Sequence, residues 1–208
     1  MISTRLFRFP IAALCALFLA GCLAGRPAPI PVDQGSVEPG TSVTRGGTPL
    51  TLLGTPIALG QKLPSAVLVD THLQRVDLAG QGGSVLFLSI VPSLDTGVCE
   101  RQTHILGEEG ARLPAKVRRV TISRDLPFAQ KRFAEEAKLT DIQYLSDYRD
   151  ASFGRATGLL VDELMLLARA VVLVDSEGNV RYIQVVPELS HLPDMDAAFA
   201  EARRLAAP

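Results

Sequence analysis

Eight residues, Ser84-Val85-Leu86-Phe87-Leu88-Ser89-Ile90-Val91, run with almost no polar interruption and stop at Pro92. A strand with one wet face alternates apolar with polar side chains, whereas an unbroken run of this length belongs to a central strand covered on both faces. The chain must therefore build a two-sided core. At 208 residues and 47% hydrophobic content it can supply one such α/β domain, with a leader and a linker to spare.

The segments around that run alternate in type. Leu50 to Leu53 and Ala66 to Val69 read as short strands, with a turn at Asp70-Thr71-His72. After the loop Ser93 to Gly97, Val98 to Glu109 has the pattern of a helix. Strand Val117 to Ile122, helix Phe128 to Ala137 with Asp125 as its N-cap, and helix Ala151 to Thr157 follow. Strands Arg169 to Val174 and Val180 to Val186 flank the turn Asp175-Ser176-Glu177-Gly178-Asn179, which predicts an antiparallel hairpin. Met195, Ala198, Phe199, Ala202 and Leu205 fall on one face of a closing amphipathic helix. This order suits an α/β, thioredoxin-like fold in which a mixed central sheet is flanked by helices.

The first residues read as an export leader. Arg5 and Arg8 precede the apolar run Ile11 to Leu19, which is too short to span a bilayer core of about 30 Å. Leu19-Ala20-Gly21-Cys22 resembles the lipobox of bacterial lipoproteins. That resemblance implies a signal peptide over residues 1–21, a lipidated Cys22 as the mature N-terminus, and tethering to a membrane of the cell envelope. By the same resemblance, Leu23 in the position after the cysteine implies sorting to the outer membrane, periplasmic side. Residues 22–46 are rich in Gly, Pro, Ser and Thr and are expected to form a flexible linker, leaving 47–208 as the folded domain. The whole chain carries 21 basic and 22 acidic residues, a balance that gives no sign of nucleic-acid binding.

Of three cysteines, Cys15 would leave with the leader and Cys22 would become a thioether, so Cys99 stands as the lone free thiol. It lies just past a strand end, in the first turn of a helix, where unpaired N–H groups and the positive end of the helix dipole favour a sulfur anion. Thr96, three residues earlier, can cap that helix while its hydroxyl reaches the sulfur or a bound oxygen. Pro92 has no N–H and could screen the sulfur from water. His72, His104 and His191 are scattered, which predicts no metal site, and no cofactor motif occurs.

The stretch Pro92-Ser93-Leu94-Asp95-Thr96-Gly97-Val98-Cys99 resembles the Pro-x-x-x-Thr-x-x-Cys motif of peroxiredoxins, in the form used by bacterial thiol peroxidases. Asp125 to Phe133, Leu145 to Arg149 and Ala168 to Asp175 are similar to further blocks of that subfamily. The resemblance implies a peroxiredoxin fold with an N-terminal β-hairpin and a homodimeric assembly. It also implies a peroxidatic role for Cys99, peroxide binding by Thr96, shielding by Pro92, and a guanidinium from Arg169 beside the thiolate.

Two departures stand out. The family pattern places a resolving cysteine after Arg-Phe, and this chain has Ala134 after Arg132-Phe133. Segment Asp162-Glu163-Leu164-Met165 is shorter than the family's connection at the rim of the site. The expected activity is reduction of hydrogen peroxide and organic hydroperoxides by a one-cysteine cycle, in which an external thiol, a thioredoxin-like protein or a small molecule, resolves the sulfenic acid. The alternative is a redox sensor or interaction module on the same fold, without turnover.

Overall fold

The computed structural model describes residues 29–207, so the leader and Cys22 lie outside the described residues. In chain order the strands begin with β1 (Val32–Asp33), β2 (Ser42–Arg45), β3 (Thr48–Leu53), β4 (Val67–Asp70), β5 (Arg75–Asp77) and β6 (Val85–Ile90). Helix α1 (Gly97–Glu108), β7 (Val117–Ser123), α2 (Pro127–Glu136), β8 (Gln143–Ser146) and α3 (Ser152–Thr157) follow. The chain ends with β9 (Leu160–Val161), β10 (Leu166–Leu167), β11 (Ala170–Val174), β12 (Val180–Val185), β13 (Leu192–Pro193) and α4 (Met195–Leu205).

Seven strands form the central sheet in the order β12-β11-β6-β7-β8-β4-β5. Strands β6, β7 and β8 run parallel, and β11 and β4 pair antiparallel on either side of them. The apolar run is β6, near the middle of the sheet, and all six of its residues are buried. Its successive side chains serve opposite faces. Val85 and Phe87 join a cluster with α1, α2 and α4, and the Phe87 and Phe199 rings lie 5.2 Å apart. Leu86, Leu88 and Ile90 join the opposite cluster, with Phe153 of α3 and with Leu50 and Leu52 of β3. The expected thioredoxin-like arrangement is observed, and β2 and β3 form the N-terminal hairpin, with β3 continuing into a second sheet, β10-β9-β3-β2.

Local sequence explains most element ends. Asp194 caps α4 by accepting the Ala197 N–H at 2.9 Å, and Arg203 and Arg204 sit in its last turn, where cations suit the dipole. Pro127 opens α2, its fixed φ suiting the first helical turn. The N-cap of α2 is Leu126, not Asp125 as expected, because the Asp125 carboxylate is engaged by the Ser93–Leu94 loop.

Residues 29–46 differ from the flexible linker expected of them. Val32 pairs in parallel with Leu192, Val37 donates its N–H to the Val185 carbonyl at 3.0 Å, and β2 pairs with β3. The polar composition misleads because backbone hydrogen bonds hold this segment, with little apolar burial beyond Val43 and Pro39. Among the described residues no helix is long and apolar enough to cross a membrane.

Candidate active site

The parallel strand β6 delivers the chain at its carboxyl end to Val91 and Pro92, both buried, and a short loop then turns into α1. Ligands of parallel α/β sheets gather in this region, outside the strand ends. Cys99 occupies the third position of α1, where backbone N–H groups have no partner within the helix. Its side chain is fully buried, and it is the free cysteine of the described residues.

Among the described residues, two side chains lie within hydrogen-bonding distance of the sulfur. Thr96 Oγ1 lies 3.0 Å from Cys99 Sγ and 3.0 Å from the Ser93 carbonyl. Thr96 is the N-cap residue of α1, yet its side chain accepts no helix N–H. The expected capping bond is absent and the expected reach to the sulfur is present, because the hydroxyl is turned inward. Arg169 Nη2 lies 3.3 Å from Sγ although Arg169 is 70 residues further along the chain. The link is the antiparallel pairing of β6 with β11, in which Ala170, next to Arg169, faces Ile90.

Arg169 is only 2% exposed, and a buried guanidinium needs acceptors for its five donors. The Leu189 carbonyl accepts from Nε at 3.0 Å and from Nη2 at 2.9 Å. Gln102 Oε1 accepts from Nη1 at 2.9 Å, and Gln102 Nε2 in turn donates to Ser89 Oγ at 2.8 Å. Among the described residues no carboxylate is hydrogen-bonded to this cation, so its charge is directed at the sulfur. A planar fork held on three sides keeps its orientation, which a flexible ammonium could not.

A cavity of about 230 Å³ opens onto this cluster. Pro92, Val98, Leu164, Leu166 and Leu189 give it apolar walls, and Thr96 and Arg169 supply polar groups that also contact the sulfur. Leu164 belongs to the short Asp162–Met165 segment, which forms the turn between β9 and β10 and so contributes to the wall of the site. All four residues expected at the site, Pro92, Thr96, Cys99 and Arg169, are gathered here.

Other groups lie elsewhere. Ala134 is packed on α2 and borders a separate cavity of about 330 Å³. His104 sits between Glu100 and Glu108 on the outer face of α1, His72 in the β4–β5 turn, and His191 against Asp33 at 3.1 Å. Among the described residues no group of three or more His, Cys, Asp or Glu is placed to hold a metal.

Sequence reading missed Gln102, Leu189 and the actual role of Asp125. Gln102 stands three residues after Cys99, a spacing that puts both on one helix face, and that signal was available. The Asp125 carboxylate accepts from Ser93 Oγ at 2.7 Å, from the Leu94 N–H at 2.7 Å and from Ser123 Oγ at 2.7 Å, fastening the cysteine loop to the end of β7.

Comparison with known proteins agrees with this geometry. Residues 58–199 match the family described as Redoxin. The thiol peroxidase of Halalkalibacterium halodurans is 43% identical over 162 residues, spanning 78% of this chain and 97% of that protein. The thiol peroxidase of Staphylococcus aureus is 42% identical over 165 residues, spanning 79% and 99%. Among solved structures, a peroxiredoxin-like protein from Aquifex aeolicus superposes with a TM-score of 0.75 at 37% identity, covering 79% of this chain and 96% of that one. The chain belongs to the redoxin family and, within it, to the thiol peroxidases.

Proposed function

We propose that the protein reduces hydrogen peroxide and organic hydroperoxides through Cys99 alone, with an external thiol closing the cycle. The observation that carries this reading is the placement of Thr96 Oγ1 and Arg169 Nη2 at 3.0 Å and 3.3 Å from one buried sulfur. The thiolate attacks the terminal peroxide oxygen as the O–O bond breaks, giving a sulfenic acid and an alkoxide or hydroxide that leaves as alcohol or water. Arg169 and the Thr96 hydroxyl stabilise the charge that develops on the two oxygens. Pro92, buried beside the site, limits access of water to the sulfur.

Resolution needs a second thiol, and position 134 is alanine. An incoming thiol condenses with the sulfenic acid to a mixed disulfide and water, and a further thiol releases Cys99 as the second disulfide forms. The identity of that thiol, protein or small molecule, is set by access to Cys99 rather than by any partner cysteine of this chain.

The N-terminal sequence supports a lipid tether at Cys22 on an envelope membrane, and more than one acyl chain gives stable anchoring. Mass analysis of the N-terminal peptide from membrane fractions checks this: an acylated Cys22 is expected, and an uncleaved leader or an unmodified Cys22 speaks against it. Two copies are expected to associate, as the resemblance implies. Leu126 and Phe128, 53% and 64% exposed at the start of α2, offer apolar surface for such a contact, and sedimentation equilibrium reads the outcome.

The activity is tested with the mature chain, a dithiol, and either hydrogen peroxide or an organic hydroperoxide. Consumption that Cys99→Ser abolishes is expected. Equal consumption by Cys99→Ser would remove Cys99 from the reaction.

A further inference from the structure

Arg169 is aimed by the Leu189 carbonyl, which takes two of its N–H groups, so whatever fixes Leu189 fixes the guanidinium. Leu189 is in the loop between β12 and β13, outside regular structure, and a loop carbonyl left to itself would not hold a buried cation in one place. The loop is fastened at the residue immediately before it. The Glu188 carboxylate accepts from Thr44 Oγ1 at 2.8 Å, the Gly46 N–H at 2.9 Å, the Gly47 N–H at 3.1 Å, the Ser190 N–H at 3.2 Å and Ser190 Oγ at 2.8 Å. Backbone bonds from the Thr44 N–H to the Pro187 carbonyl at 2.7 Å and from the Leu189 N–H to the Thr44 carbonyl at 2.8 Å flank it.

A carboxylate has about four lone-pair sites, so five donors saturate it. The receiving turn is built for the purpose. Arg45 pairs with Thr48, leaving Gly46 and Gly47 as a two-residue hairpin loop with φ of +58° and +78°. Successive left-handed residues point both N–H groups to one side, a concavity suited to an anion. Burial works against ionisation of Glu188, but the bonds from Gly46, Ser190, Gly47 and Thr44 outweigh it and hold its pKa at about 2.

We infer that Glu188 is a positioning residue of the peroxidase reaction: by locking the Pro187–Ser190 loop to the β2–β3 hairpin it sets the Leu189 carbonyl, and through it the Arg169 guanidinium, against Cys99 Sγ. The inference rests on the reaction proposed above. Its consequence is that the N-terminal hairpin, remote from Cys99 in sequence, is a structural part of the active site.

The test compares two single-turnover reactions of Cys99 in the full mature chain, read by quenched flow and mass spectrometry. Oxidation by hydrogen peroxide needs Arg169 correctly placed on the peroxide oxygens, whereas alkylation by iodoacetamide, with both reactions run at a pH high enough to ionise Cys99, needs only a reachable thiolate. Glu188→Gln is expected to slow oxidation by about 10- to 100-fold, the scale of a small misplacement of a catalytic group, while alkylation changes by a much smaller factor. Glu188→Asp, which keeps the charge on a shorter arm, should recover part of the oxidation rate, and Thr44→Val, which removes one of the five donors, should lose a smaller part. Wild-type oxidation rates in folded Glu188→Gln overturn the inference. An equal fall in both reactions also overturns it, since that is the mark of general loosening. If Glu188→Gln does not fold, Thr44→Val and Glu188→Asp are judged by the same ratio, and an unchanged ratio in both counts against the inference. Failure of wild-type Cys99 to react with peroxide would instead overturn the proposed activity.

Discussion

The Asp125 carboxylate accepts the Leu94 backbone N–H at 2.7 Å, joining the loop that precedes Cys99 to the loop that precedes α2. The same carboxylate holds Ser93 Oγ at 2.7 Å, so the turn into α1 is anchored at two successive residues. Cys99 is fully buried in this arrangement, and the anchored loop holds Thr96 Oγ1 at 3.0 Å from its sulfur.

Asp125→Ala is expected to weaken the anchor by about 1.5–3 kcal/mol, the range for hydrogen bonds to a charged group. Amide hydrogen exchange over residues 93–99 should quicken, with the sheet strands β6 and β7 unaffected. Unchanged protection in that loop would show that Asp125 does not govern its opening.

Arg169→Lys keeps the charge and loses the fork. An ammonium cannot serve the Leu189 carbonyl, Gln102 Oε1 and Cys99 Sγ in the geometry that Arg169 does. The rate constant for Cys99 oxidation should fall by about 10²-fold or more, the loss seen when a preorganised donor is removed from a developing anion. Stopped-flow or quenched-flow measurement checks it, and a rate within a factor of about two of wild type would assign the work to charge alone.

The acid side of the stability profile should reflect the carboxylates whose folded pKa is displaced. Burial opposes ionisation of Asp175, but bonds from Asn179, Arg181 and Glu177 prevail and lower it from 3.8 to about 2. A lowered folded value means that the unfolded chain binds more protons, so this contribution is present above 3.8 and lost as pH falls towards about 2. Glu188, lowered from 4.5 to about 2, acts in the same sense. Asp147 acts in the opposite one: burial raises it above 3.8 despite N–H bonds from Gly154 and Phe153, and its contribution fades as pH rises through that raised value. Urea unfolding from about pH 5 down to about pH 3 should show falling stability, with a shallower fall in Asp175→Asn. Equal slopes for the two proteins would remove Asp175 from the account.

The centre of the molecule was legible in the sequence, and its supports were hidden. The apolar run at β6, the Pro92-Thr96-Cys99 spacing and the hairpin after Val174 are local patterns, and each carries its own physical reason. Arg169 could be named from resemblance, but its contact with Cys99 depends on β6 pairing with β11 in a particular register. Leu189 contributes a backbone carbonyl, which no side-chain pattern marks. Glu188 and Thr44 meet across 144 positions, and Asp125 and Leu94 across 31. Asp125 read as a helix cap because it stands two residues before α2, and the loop it holds is out of sight until the sheet brings the two together. Residues 29–46 read as linker because composition reports side-chain burial and says little of backbone pairing.

The most direct test is intact-mass spectrometry of the mature protein after one equivalent of hydrogen peroxide, before and after addition of a thiol. One oxygen atom added at Cys99 is expected, absent from Cys99→Ser, replaced by a mixed disulfide and then a free thiol as reductant is supplied. A protein left unmodified by peroxide, or oxidised at a site other than Cys99, would contradict a peroxidatic role for Cys99.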